Sequence, residues 1–385
     1  MLEGELNRVE IDLDAISFNV QAFRRHIGAK VEIIAVVKGN AYGHGAAPVA
    51  QAALAAGANR LAVHRAAEGV ELRKAGIEAP ILVMGYTPPA GAALITQWHL
   101  TPSLITLEFA RALSARASAL GITIPIHIKV DTGMSRFGLL PDEVLEFLRE
   151  LRNLPGISSQ GLFTHFATAD WEDTSFTHRQ FEIFQDVLNA ARREGFDLPV
   201  CHAANSGAAM RLPETHFNAI RLGIALYGLD PSEQWLPVFE IRPALTLKSI
   251  ISRVRDLPPG SGISYGRTYV TQGKTRAALV PVGYGDGYHR SLSNRGCVLI
   301  HGQRAPILGR ICMDQFVVDI SAIADVKQDD EVVLIGRQGN DQIRAEEVAR
   351  LAGTINYEIT TALLPRLPRL YFRAGQPVQG TSSND

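Results

Sequence analysis

The sequence predicts an α/β chain, with an N-terminal (β/α)8 barrel over residues 1–242 and a mainly-β domain over 243–385. Two observations carry that expectation. From Val31 to about Leu229, short apolar runs alternate with amphipathic stretches eight times over. After Pro243 the texture changes to short alternating runs parted by Gly, Pro and Asp, which marks an all-β module.

The first barrel strand is 31–37, Val-Glu-Ile-Ile-Ala-Val-Val, apolar and β-branched and therefore buried. Further strands are expected at 60–63, 81–84, 102–105, 124–130, 160–164, 200–203 and 218–221. The fourth, Pro102-Ser103-Leu104-Ile105, has the weakest pattern and leaves a doubly wound sheet as the competing arrangement. Helices are expected over Ala66–Ala75, Leu107–Leu120, Pro141–Leu151 and Phe176–Glu194. Pro141 suits a first turn, and Gly76 and Gly121 suit helix ends. Eight such repeats match a TIM-type barrel. In the second domain, strands are expected at Thr246–Arg255, Ala277–Val282, Val298–Gly302, Ile307–Leu308, Gln315–Ile320 and Val332–Ile335, with one helix at Arg344–Leu351. The first ~10 residues are expected to pack with this domain, and 380–385 to form a disordered tail.

Hydrophobic residues make up 46% and charged residues 20% of 385, ordinary for a soluble protein with a large core. A net charge of -1 offers no basic surface to nucleic acid and no polybasic membrane patch. No apolar run has transmembrane length, and the acidic start Met1-Leu2-Glu3-Gly4-Glu5 is unlike a secretory signal. Cys201, Cys297 and Cys312 are sparse and odd in number, which suits a reducing cytoplasm. Cys201, His202 and His216 lack metal-site spacing, so no metal is expected.

Lys38 stands at the carboxyl end of the first strand, where the chain breaks into Gly39-Asn40-Ala41-Tyr42-Gly43-His44-Gly45. Partial desolvation there lowers an amine's pKa and frees it as a nucleophile, the requirement for a Schiff-base lysine; the bland alternative is a solvated strand-end cation. Other strand ends bring Lys129 through Arg136, then His165, Asn205-Ser206-Gly207 and Arg221-Leu222-Gly223-Ile224. The last two are the loops after strands seven and eight, where barrels commonly bind phosphate. Ser206 offers a hydroxyl, and Gly223 and Ile224 offer backbone N–H groups.

The lysine segment resembles the cofactor-lysine motif of the alanine racemases, with Gly39 where that family usually has alanine, a change that should loosen the loop. Lys-Val-Asp-Thr-Gly-Met-Ser-Arg-Phe-Gly (129–138), Arg-Leu-Gly-Ile-Ala-Leu-Tyr-Gly (221–228), Ile-Ser-Tyr-Gly (263–266), Val-Gly-Tyr-Gly-Asp-Gly-Tyr (282–288), Gly-Arg-Ile-Cys-Met-Asp (309–314) and Asn-Tyr-Glu-Ile (356–359) resemble that family's signatures, in its order. The resemblance implies a homodimer that racemises alanine with pyridoxal 5′-phosphate and supplies D-alanine to the cell wall. It implies that Lys38 tethers the cofactor and is the base on one face, with Tyr265 of the second subunit on the other. Tyr42, Ser206, Gly223, Ile224 and Tyr357 would hold the cofactor's phosphate, Asn205 would also bind the cofactor, His165 would face its ring, and Arg221 would meet its pyridine nitrogen. Arg136 and Met313 would hold the substrate carboxylate, and Tyr284 would stand at the entrance. Lys129, often carbamylated in that family, would fix Arg136, with Asp131, Cys312 and Asp314 in support.

The competing readings are an amino-acid decarboxylase of the same architecture, a non-catalytic carrier of the cofactor, a cofactor-free racemase using Cys201 and Cys312, and a serine-preferring racemase. Tyr357 crowds a hydroxymethyl group and favours alanine.

Overall fold

A computed structural model of the chain describes residues 5–378; the tail expected at 380–385 lies outside the described residues. The chain divides into two compact units. One comprises Ile16–Ala41 and Ala46–Arg242; the other comprises the chain from Pro243 onward together with the segments up to Ala15 and Tyr42–Gly45.

With strands numbered along the chain, β1 (Arg8–Asp12) belongs to the second unit. The first is built from β2 (Glu32–Val36), β3 (Arg60–Val63), β4 (Ile81–Val83), β5 (Thr101–Leu104), β6 (Ile124–Lys129), β7 (Ile157–Phe163), β8 (Val200–His202) and β9 (Ala219–Leu222). Sequence neighbours pair in parallel from β2 to β8, and β9 pairs in parallel with β2. Asn218 N donates to Cys201 O (3.2 Å) and Arg221 N to Ala204 O (3.0 Å), which joins β8 to β9 and completes the ring. Strands in such a sheet are covered on both faces, and Ile33, Ile34, Ala35, Leu61, Ala62, Ile81 and Val83 are accordingly buried. The weakly patterned fourth strand is present, so the barrel arrangement holds and the doubly wound alternative falls.

The helix Val144–Arg152 shows how the outer layer is specified. It buries Val144, Phe147, Leu148 and Leu151, spaced three and four apart, and exposes Glu146, Arg149, Glu150 and Arg152. Each buried side chain contributes about 1.5–3 kcal/mol. Pro155, three residues beyond the last helical residue, cannot extend the helix. Pro141 opens a short 3-10 turn, Pro141–Glu143, that leads into this helix.

In the second unit an eleven-stranded sheet dominates, and β1 lies inside it, antiparallel to Leu245–Ile250 and parallel to Arg369–Arg373. The single strand expected over 246–255 is two strands. Leu245–Ile250 pairs with β1 and Glu331–Gln338, whereas Arg253–Leu257 pairs with Thr275–Val280. The hand-over is at Ile251 and Ser252, whose N–H groups donate to Asp330 O and Leu279 O respectively. A two-residue-per-strand hairpin, Gly262–Ile263 against Tyr269–Val270, carries Tyr265 in its loop. The expected helix near 344–351 is Ala345–Ala352, and a short helix Asn356–Thr361, not expected from the pattern, follows it.

Candidate active site

Lys38 begins a left-handed turn. Gly39 (φ 61°), Asn40 (51°), Ala41 (53°), Tyr42 (53°) and Gly43 (86°) all lie in the positive-φ region. Each non-glycine residue there costs about 1–2 kcal/mol, so the turn must be held by specific bonds. Gly39 N donates to Glu68 Oε1 (2.6 Å), Ala41 N to Val37 O (2.9 Å), and Ala46 N to Asn40 Oδ1 (2.8 Å). The expectation that Gly39 loosens the loop is therefore corrected: at φ 61° a glycine removes the strain that a Cβ would add. Gly43 is required sterically, since an added Cβ would lie 2.1 Å from Thr360 O. Burial first, and then the charge of Arg136, hold the Lys38 ammonium below its ordinary pKa, while Glu68 opposes them.

Arg221, only 3% exposed, lies at the end of β9 among acceptors. Nη1 donates to His202 Nδ1 (2.7 Å) and His202 O (3.0 Å); Nη2 donates to Thr164 O (2.8 Å), Ala203 O (2.7 Å) and His165 Nδ1 (3.2 Å). Burial lowers the guanidinium to about 9, and the surrounding carbonyl oxygens keep it a cation at neutral pH. Its two NH2 groups are thus committed, and Nε–H is the remaining donor. A guanidinium cannot accept, so His165 Nδ1 is the acceptor; burial and four surrounding cations keep that ring neutral, with its proton on Nε2.

The loop after β6 is organised by Asp131. Its carboxylate accepts from Gly133 N (2.9 Å), Ser135 N (3.0 Å) and Arg136 N (3.0 Å), setting the backbone from which Arg136 projects. Burial alone would raise the Asp131 carboxyl, but these N–H groups bring it below its usual range. Lys129 is brought down to about 7 by burial first, then by Arg221 and Arg136. Its ammonium lies 5.0 Å from the centre of the Phe163 ring.

Asn205 caps the helix Ser206–Arg211, its Oδ1 accepting from Ala208 N (3.1 Å), and so fixes Ser206 at the first helical position. Ser206 Oγ accepts from Gly223 N (3.0 Å) and Ala225 N (3.4 Å), which draws the β8 and β9 loops together beside Ile224.

Within the second unit another cluster forms. Gly283 and Gly285 let the turn Tyr284–Asp286 lie on the backbone of 312–313: Tyr284 N donates to Cys312 O (3.1 Å) and Gly285 N to Met313 O (2.8 Å). A Cβ on Gly283 would come within 2.2 Å of Met313 O. Ser264, at φ 60°, donates from Oγ to Arg310 O (2.6 Å) and stands 3.3 Å from Cys312 Sγ, holding the loop of Tyr265 against this turn. Arg366 ties the underside, binding Asp286 at 2.6 Å and Asp314 at 2.9 Å. Tyr265 is 72% exposed and Met313 55%. In the same unit, buried Tyr42 faces Tyr357 with ring centroids 6.0 Å apart.

Residues 11–231 match the family described as alanine racemase, N-terminal domain, and residues 244–371 match alanine racemase, C-terminal domain. The chain belongs to the alanine racemase family. It is 46% identical to the alanine racemase of Carboxydothermus hydrogenoformans, covering 94% of this chain and 98% of that one. The crystal structure of alanine racemase from Bacillus anthracis with bound L-Ala-P is 42% identical, with a TM-score of 0.90 over 97% of this chain and 96% of that one. A histidine racemase from Leuconostoc mesenteroides subsp. sake shares the fold, with a TM-score of 0.89 over 96% of this chain and 99% of that one, at 28% identity.

For a racemase of this family, reading the motifs alone missed Glu68, His127, His202, Asp286 and Arg366. Asp286 stood inside a quoted motif, and Glu68 holds the third position of a helix start, a local signal; His127, His202 and Arg366 depend on contacts far apart in the chain. The two-cysteine alternative is disfavoured, because Cys201 is fully buried and burial raises its thiol to about 11. Among the described residues no helix is long and apolar enough to cross a membrane, and no His/Cys/Asp/Glu group gathers as a metal site.

Proposed function

We propose that the chain interconverts L- and D-alanine with pyridoxal 5′-phosphate as cofactor, acts as a homodimer in the cytoplasm, and supplies D-alanine for peptidoglycan. The observation that carries this reading is Arg221, whose Nε–H is left to donate once both NH2 groups are engaged inside the barrel. A donor-only cation leaves a pyridine nitrogen unprotonated, unlike the carboxylate expected in a decarboxylase. When bound through Lys38, the cofactor supplies an electron sink next to the substrate α-carbon.

The residues fit such a group. The Lys38 amine, lowered in pKa by burial, suits a carbonyl carbon. The Ser206 hydroxyl proton, its oxygen accepting from Gly223 N, and the Ile224 N–H suit a phosphate, toward which Gly223 N would turn on binding, with Asn205 fixing Ser206; the family resemblance assigns Tyr42 and Tyr357 to the same phosphate. His165 offers its ring face and Nε2–H. Arg136 and the backbone N–H of the partner's Met313 hold the substrate carboxylate, and Tyr284 guards the entrance. Lys38 moves the α-proton on one face and the partner's Tyr265 on the other. The strong exposure of Tyr265 and Met313 supports their serving another subunit. Cys312 and Asp314 support that loop, and Asp131 supports Arg136. Lys129, near 7, has a neutral amine fraction at physiological pH, the form that adds carbon dioxide; a carbamate there would anchor Arg136.

The test is to supply the purified protein and cofactor with L-alanine, L-serine and L-histidine in turn, following both enantiomers and carbon dioxide. Alanine should equilibrate fastest, with serine slower by roughly 10–200-fold because Tyr357 crowds its extra group. Carbon dioxide release, or a faster turnover of serine or histidine, would overturn the assignment.

A further inference from the structure

We infer that His127 is a positioning residue for the racemase reaction, accepting the Nε2–H of His202 and so holding that ring where its Nδ1 accepts from Arg221. The inference rests on the functional reading above, but its geometry lies wholly within the barrel. His127 Nδ1 is 2.9 Å from His202 Nε2, and His202 Nδ1 is 2.7 Å from Arg221 Nη1. Arginine has no acceptor, so His202 Nδ1 must accept. A neutral His202 then carries its proton on Nε2 and donates it to His127 Nδ1, which leaves His127 protonated on Nε2. Both rings are buried, at 2% and 0% exposure, and burial with the nearby arginines keeps them neutral. The direction of every bond in the chain therefore follows from the arginine end.

The barrel makes room for this chain. Gly161 on β7 is the register partner of His127 on β6, and the register shifts between Ile126 and His127. A Cβ on Gly161 would lie 2.5 Å from His127 Cγ and Nδ1, so any larger residue would push the ring off His202. His202 is also stacked on Phe163, with centroids 4.7 Å apart and planes 12° apart, which leaves its ring edge to its hydrogen-bond partners. Replacing His127 by an apolar ring would strand a buried N–H on His202. Arg221 still demands an acceptor at Nδ1, so His202 keeps its tautomer and instead turns its Nε2–H toward another acceptor, which draws Nδ1 off Arg221. Arg221 then shifts, and its Nε–H leaves its direction.

Selective ¹⁵N-histidine labelling and long-range ¹H–¹⁵N correlation test this on the apoprotein and the holoenzyme. In the wild type, His127 and His202 should both show the Nε2–H tautomer. In His127→Phe, the His202 ring-nitrogen resonances should shift while its Nε2–H tautomer stays, and kcat should fall about 10–100-fold with little change in KM, as a misplaced group requires. In His127→Gln, whose amide oxygen can accept from His202, the tautomer and most of kcat should be retained. A wild-type His202 protonated on Nδ1, or equal kcat in the Phe and Gln variants, would overturn the inference. Should the Phe variant not fold, the wild-type tautomers and the Gln variant still decide. Intact tautomers in a protein without alanine racemisation would overturn the functional reading alone.

Discussion

The Glu68 carboxylate accepts from Gly39 N at 2.6 Å and, through its other oxygen, from His64 N and Arg65 N at 2.8 Å each. One side chain thus caps the helix Ala66–Lys74 and fastens the strained turn that follows Lys38.

Glu68→Gln is expected to loosen that turn, since one amide oxygen replaces two charged acceptors. Loss of charge-assisted bonds worth about 1.5–3 kcal/mol each, partly offset by the amide, should lower stability by about 1–2 kcal/mol. Hydrogen exchange at Gly39 to Gly43 should quicken, with kcat down about tenfold. Unchanged exchange in that segment would refute the role of Glu68.

Tyr265→Ala should abolish proton removal from one face only. In deuterated water, α-proton exchange should fail chiefly from L-alanine, and equal loss from both enantiomers would contradict two opposed bases. Mixing inactive Lys38→Ala with Tyr265→Ala under subunit exchange should restore one intact site per heterodimer. No recovery, with exchange demonstrated, would place both groups in one chain's site.

Arg221→Glu places a carboxylate among the carbonyls of Thr164, His202 and Ala203, so the melting temperature should drop. At saturating cofactor the variant should racemise more slowly, accumulate a long-wavelength absorbance band and transaminate more. Weaker cofactor affinity with no new band would show that Arg221 is a phosphate contact.

Lys129 should make stability rise with pH. The unfolded lysine keeps its proton up to about 10.5, whereas the folded one, lowered chiefly by burial, releases it near 7. Between those values the unfolded state binds more protons, so stability increases with pH; below about 7 the buried charge is at its most unfavourable. Lys129→Met should therefore stabilise the protein most near pH 6 and least near pH 10. A constant difference across that range would mean that the amine does not titrate, as for a carbamate.

The sequence alone carries the barrel, the β module and the lysine at a strand end, because these follow from short-range patterns of burial and chain breaks. Even the weak strand Thr101–Leu104 was legible from its flanking repeats. It also carried the motifs that place the chain in its family. The sequence already placed the first residues with the β module, but which strands flank β1, and that the run 246–255 changes partners at Ile251, came from the tertiary pairing. The same holds for the bonds of Arg221 to residues up to 57 positions away, and for His127 to His202 across 75. Such pairings depend on which strands become neighbours when the ring closes, and a periodicity of two or 3.6 residues carries no record of that.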